Sequence, residues 1–273
     1  MNTDKLQGFL DVLGLDEQPM GMAYERKCPE GGNAPRECDM PSLEDEQAGT
    51  ADFRGVFENF SCVFKHIWIL RRKGDPAWFN PGRCGCMGAA QYLGFRKGPF
   101  RFVAHYVSTG MPHVEGECYT DSPESFDVLY AAMDPQPAPA PYCVFRRLSD
   151  YPSGTRPELV TFFARPEVMS GLHQYITFLT CDAESVASPW GSGCSTLVTW
   201  PLLYRRRGQT RAVLGGWDPS MRKLLKTDEL FLTVPLHLYE QMVERWHESF
   251  LGGARWQAQR KKIERSKKVW GEV

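Results

Sequence analysis

The chain has no apolar run of the roughly 18–20 residues needed to cross a bilayer. Its longest candidate, Cys62 to Leu70, is interrupted by Lys65 and His66. No secretory leader is expected either, because Asp4 and Lys5 stand near the start, where such a signal needs an apolar stretch. Net charge is nearly absent: the formal value is −1, which argues against a general binder of nucleic acid or of membrane surfaces. No Cys-x-x-Cys occurs, and neither the P-loop nor the dinucleotide-binding glycine fingerprint can be found. No carboxylates stand at a telling spacing, and no Ser-His-Asp arrangement can be inferred. Together these absences predict a cytoplasmic protein whose chemistry is not announced by a common motif.

What remains is ordinary in bulk and uneven in detail. At 273 residues the chain can bury a large core without disulfides or metal. Its 42% hydrophobic and 24% charged content is that of a globular protein. The charge is asymmetric: residues 1–59 carry 13 acidic and 5 basic side chains, and residues 255–268 carry 7 basic and 1 acidic. Nine cysteines are an odd number for a disulfide framework. In a reducing compartment they point to ligands, reactive thiols or core packing.

Two stretches concentrate the cysteines and glycines. The first, Asn80-Pro-Gly82-Arg-Cys84-Gly85-Cys86-Met-Gly88, runs into an apolar segment, Ala89 to Phe95, that reads as a short helix. The second, Trp190-Gly191-Ser-Gly193-Cys194, also opens a short helix. Each follows a strand, a long helix and a loop. The first block has the strand Met20–Tyr24 and a helix over Phe53–Arg72 containing Cys62. The second has the strand Leu159–Ala164 and a helix from Pro166 to Thr180 that ends at Cys181. This order predicts an α+β single domain of two pseudo-repeated halves, each a small β-sheet covered by helices. A pseudo-twofold axis would then bring Cys62, Cys84/Cys86, Cys181 and Cys194 together.

Periodicity supplies the other elements. Leu6, Phe9, Leu10 and Leu13 mark a helix stopped by Gly14. Residues 25–52, acidic and rich in Gly and Pro, read as a long surface excursion. Pro99 to Val107 reads as a strand. Ser122-Pro123 starts a helix as cap and first residue. Cys143–Leu148, Arg211–Gly216 and Leu230–Val234 read as strands, with a short helix at Ser220–Leu225. Pro235 opens a helix broken at Gly252-Gly253, so the domain is expected over 1–251 and a solvated basic helical tail over 252–273.

Cys86-Met-Gly88-Ala89-Ala-Gln-Tyr-Leu93-Gly94-Phe95 resembles a Cys-x-Gly-Ala/Gly-x-x-x-Leu-Gly-Phe/Leu signature. Cys62, the strand Leu159–Ala164 and the run Gly193 to Pro201 fit the same family, the prokaryotic ArCR-type domain of unknown function (family 169). The resemblance covers roughly residues 5–251. It implies one domain, a soluble protein and importance for the cysteine stretches, and it brings no settled activity. Cys84 and the long acidic segment 25–52 depart from its pattern.

Four thiolates are the usual cradle of an iron–sulfur cluster or a tetrahedral zinc. The leading expectation is therefore an iron–sulfur cluster, with zinc as second choice, held by Cys62, Cys86, Cys181 and Cys194, with Cys84 as a substitute. Electron transfer to a redox partner protein, or redox-linked ligand binding, would be the role. His66, one helical turn after Cys62, is the natural additional ligand or base. The alternative is a metal-free module for a small molecule or anion, in which Gly82, Gly85, Gly88, Gly191 and Gly193 present amides at helix starts. Cys118 and Cys143 are expected to be packed as small hydrophobes, and Cys28 and Cys38 to be loop thiols. No membrane partner and no nucleic acid are expected.

Overall fold

The structure, a computed structural model, describes residues 3–15 and 17–271. The outermost ends of the two expected ranges, 1–2 and 272–273, lie outside the described residues. Seven strands form a single sheet: β1 (Met20–Glu25), β2 (Ala77–Phe79), β3 (Tyr142–Arg147), β4 (Leu159–Ala164), β5 (Val186–Ala187), β6 (Ala212–Gly215) and β7 (Leu230–Pro235). Their order is β2-β3-β1-β4-β7-β6-β5. Every pairing is antiparallel apart from β5 with β6. All six residues of central β4 are buried, as an apolar run covered on both faces requires. Its one polar residue, Thr161, stands opposite Thr233 of β7, and the two hydroxyls meet at 3.0 Å.

Eleven helices surround this sheet among the described residues: α1 (Thr3–Leu13), α2 (Leu43–Ala48), α3 (Arg54–Glu58), α4 (Val63–Lys73), α5 (Met87–Tyr92), α6 (Arg101–Val107), α7 (Pro123–Met133), α8 (Pro166–Thr180), α9 (Trp200–Arg206), α10 (Leu236–Arg245) and α11 (Ala254–Trp270). One face carries α1, α8 and α10, whose Phe9, Leu13, Leu172, Ile176 and Leu238 pack on Val160, Phe162 and Val234. On the other face Phe64 and Ile67 of α4, Met87 of α5 and Phe126 of α7 pack with Phe145, Phe163 and Phe231.

The expected pair of small sheets is therefore one continuous sheet. Strand order is mirrored about the antiparallel β1–β4 seam, with β3 then β2 on one side and β7 then β6 on the other. The repetition stops at the helices, because α4 and α8 lie on opposite faces. A twofold axis relating two antiparallel neighbours runs through the sheet and would put both helices on the same face.

Three local expectations are corrected by tertiary contacts. The helix expected over 53–72 breaks at residues 59–62, where the Asn59 side chain donates to the Gly55 carbonyl and the Ser61 amide leaves for Gly85. Phe57 and Phe60 are consequently exposed while Phe64 and Ile67 are buried. Residues 101–107 form α6 instead of a strand. The spacing of the buried residues Phe100, Val103 and Ala104 is helical, and the Glu46 carboxylate accepts from the amides of Arg101 and Phe102. That same contact ties down the 25–52 segment, which contains α2 with its Ser42–Asp45 capping box. The basic tail is helical as expected, yet it is docked: Trp256 is buried, and its indole N–H donates to the Val12 carbonyl at 2.7 Å.

Candidate functional site

Asn80 organises the first cysteine loop. Its side-chain oxygen accepts from the Gly82 amide, and its carbonyl accepts from the Arg83 amide, both at 3.0 Å. The Cys84 thiol donates back to the same carbonyl at 2.9 Å and is fully buried. Gly85 follows with φ of 79°, where an added Cβ would lie 2.1 Å from the Ser61 oxygen, so only glycine lets the chain pass. Its carbonyl accepts from the Ser61 amide at 2.8 Å. One residue after each partner of that bond come Cys62, the N-cap of α4, and Cys86, the N-cap of α5. The Cys86 sulfur accepts from the Ala89 amide at 3.2 Å.

The second loop is locked by Asp218. One carboxylate oxygen accepts from the Gly193 amide at 3.0 Å, and the other accepts from the amide and hydroxyl of Ser220. A Cβ on Gly193 would approach the Phe64 ring to 2.7 Å and the Met221 sulfur to 2.2 Å, so the missing side chain is what lets the loop sit on the first turn of α4. Cys194 comes next, its sulfur 3.4 Å from the Ser192 hydroxyl. The chain then winds through a π-turn, Ser195–Thr199, before α9. Pro201 lacks an N–H, and the Trp200 amide reaches back to Ser195, which widens the turn. Thr199 fastens this helix to α5 through the Tyr92 carbonyl at 2.8 Å.

Cys62, Cys86 and Cys194 come from three separated parts of the chain and lie within electrostatic reach: Cys62 acts on Cys86, both act on Cys194, and Cys86 acts on Cys84 as well. Burial pushes the Cys86 thiol up to about 12, with the Cys62 charge adding to the shift and the Ala89 amide opposing it. Burial likewise raises Cys62, and raises Cys194 well above its ordinary value. Burial outweighs the opposing Lys223 charge at Cys62, so all three are held in the neutral thiol form.

Beside the thiols opens a cleft of about 460 Å³. Tyr92, Tyr119, Trp190 and Trp217 line it, together with Glu117 and Asp218. The loop after α6 places Glu117 and Tyr119: their amides donate to the carbonyls of Tyr106 and Val107, and a tight Met111–Val114 turn lies between. Glu117 is raised to about 7, first by burial and then by the Asp218 carboxylate, with a Ser220 hydrogen bond opposing. Asp218 also acts on all three thiols, so thiols and cleft share one electrostatic neighbourhood.

The profile of uncharacterised ArCR proteins, domain of unknown function 169 (DUF169), matches residues 9–245. The chain belongs to the DUF169 family. No curated protein and no solved structure matches it. The DUF169 match spans every residue of the thiol site and the cleft and ends before α11.

Within this DUF169 chain Cys62, Cys86 and Cys194 lie within electrostatic reach, as does Cys84 through Cys86, while Cys181 stands apart. Cys181 is exposed at the end of α8, in left-handed conformation, on the opposite side of the sheet. Cys84 is turned into its own loop. Among the described residues no three His, Cys, Asp or Glu side chains are placed to hold one metal ion. His66 is buried and occupied on both nitrogens: Nδ1–H donates to the Asn33 side chain and Nε2 accepts from Ser61, each at 2.7 Å. Burial lowers it to about 4, with Lys65 adding to the effect, so it is a neutral structural residue. Two of the five glycine amides are spent inside the loops: Gly82 on Asn80, and Gly193 on Asp218. Arg83 reaches Glu37 and the Pro35 carbonyl. Cys143 is buried as expected, while Cys118 is exposed. Asp218 and Glu117 were not singled out from the sequence. Asp218-Pro219 is a recognisable start of a helical turn, which gives the position of Asp218 and not its partners.

Proposed function

We propose that this protein binds an iron–sulfur cluster through Cys62, Cys86 and Cys194, with redox or redox-linked ligand binding as its role. One observation carries the reading: three thiols from three chain segments lie within electrostatic reach of the cleft carboxylate Asp218 and of one another. The donor set fits. It is all soft sulfur, which selects iron–sulfur centres and zinc over hard cations, and an amide already donates to the Cys86 sulfur, as cluster sulfurs favour. A single zinc draws its sulfurs to about 2.3 Å from one centre, and the side chains are not placed to share one ion. A cluster distributes its thiolates over separate irons and asks for a wider footprint. Bound there, it would supply one-electron chemistry next to the cleft.

Purification without oxygen, followed by iron and acid-labile sulfide analysis, tests this. Brown protein with iron and sulfide in matching amounts supports the reading. Colourless protein that is folded and free of both rejects it. The second reading, a metal-free small-molecule module, is favoured by the cleft itself, whose volume lies in the range of ligand sites. In its anion form the Gly82 and Gly193 amides would first have to leave Asn80 and Asp218.

A further inference from the structure

The cleft has a chemistry of its own, independent of what the thiols hold. Its walls are aromatic: Tyr92, Tyr119, Trp190 and Trp217. Trp217 is 58% exposed, too open to be core packing, yet its orientation is fixed, because its indole N–H donates to the Ser188 hydroxyl at 2.9 Å. Trp190 is held from behind, its carbonyl accepting from the Trp200 indole at 2.9 Å and its ring set edge-on to Phe126. The charged groups of the lining are Glu117 and Asp218, and no lysine, arginine or histidine belongs to it. Lys223, on the turn after Asp218, acts on Cys62.

Aromatic faces and carboxylates attract the same kind of partner. The ring quadrupole draws a cation to its face, most strongly for Trp and most of all where quaternary or methylated ammonium groups are desolvated. A carboxylate adds direct Coulomb attraction that grows as water is excluded. An anionic ligand would meet both carboxylates with no countercharge in the lining.

We propose that this cleft binds a small organic cation, an ammonium-bearing molecule held between the Trp190 and Trp217 walls against Glu117 and Asp218. The cation lies against the rings and its charge faces the acidic pair. A pendant apolar or aromatic part fills the remaining cleft beside Tyr92 and Tyr119.

Calorimetric titration of the full-length protein at pH 8 with benzyltrimethylammonium, and separately with phenylacetate, tests the assignment. Saturable binding of the ammonium and none of phenylacetate is expected. Glu117→Gln and Trp217→Ala are the informative variants, because Trp217 is exposed and Glu117 is half-buried, outside both core clusters. Each is expected to weaken the ammonium by about fivefold or more. Equal binding of both probes, binding of neither, or unchanged affinity in both variants overturns the proposal. Since neither variant touches a sulfur, this result and the iron analysis stand or fall separately.

Discussion

The Ser61 amide donates to the Gly85 carbonyl at 2.8 Å, and this bond joins the two loops that carry Cys62 and Cys86. It ties together the starts of α4 and α5, whose N-caps are Cys62 and Cys86. Gly85→Ala should disrupt it, through a positive φ and a collision with the Ser61 oxygen. The expected loss is roughly 2–5 kcal/mol, read from urea unfolding. An unchanged midpoint would mean that the loop is not built this way.

Asp218 plays the matching part for the second loop. Removing it strands the Gly193 amide and uncaps the turn at Ser220, so Asp218→Ala should cost about 2–3 kcal/mol. Because a protein carboxylate already occupies the Gly193 amide, added inorganic phosphate should leave the melting temperature of the native chain unmoved. Phosphate stabilisation that vanishes in a Gly193 variant would restore the anion reading.

His66 gives a pH signature. Its folded pKa of about 4 lies below the ordinary 6.5, so the unfolded chain binds the extra proton between those values. Stability from this residue is present above pH 6.5 and is lost as pH falls towards 4, by up to about 3 kcal/mol. The stability gap between the native chain and His66→Gln should therefore shrink from pH 7 to pH 4.5. A gap that stays constant would show that His66 is accessible and protonated in the fold.

Glu117 works in the opposite sense. Its folded pKa of about 7 exceeds the ordinary 4.5, so the fold keeps a proton that the unfolded chain has released. Stability is lost as pH rises from 4.5 to 7. Glu117→Gln should look more stable relative to the native chain at pH 8 than at pH 4.5. Equal differences at both values would place Glu117 in open solvent.

Much of this was legible in the sequence, and the gaps have physical causes. The continuous apolar run of β4 and the Pro166–Thr180 helix are local signals, and both appear where the pattern puts them. The two glycine–cysteine stretches were legible as special, because only glycine fits at Gly85 and a side chain at Gly193 would collide with Met221 and Phe64. The break at Ser61 was not, because its cause is a carbonyl elsewhere in the chain. Nor was the choice among cysteines. Cys181 and Cys194 both end or begin helices, and the face of the sheet on which α8 lies decides between them. Glu117 and Asp218 carry no motif, and their meeting depends on two loops folding over the same cleft.

The central claim is that Cys62, Cys86 and Cys194 form one site and that Cys181 is outside it. Iron and sulfide content after anaerobic purification of the four single serine variants tests this most directly. Loss of both from Cys62→Ser, Cys86→Ser and Cys194→Ser, with native content in Cys181→Ser, is the expected result. Loss from Cys181→Ser, or full content in any of the other three, would contradict it.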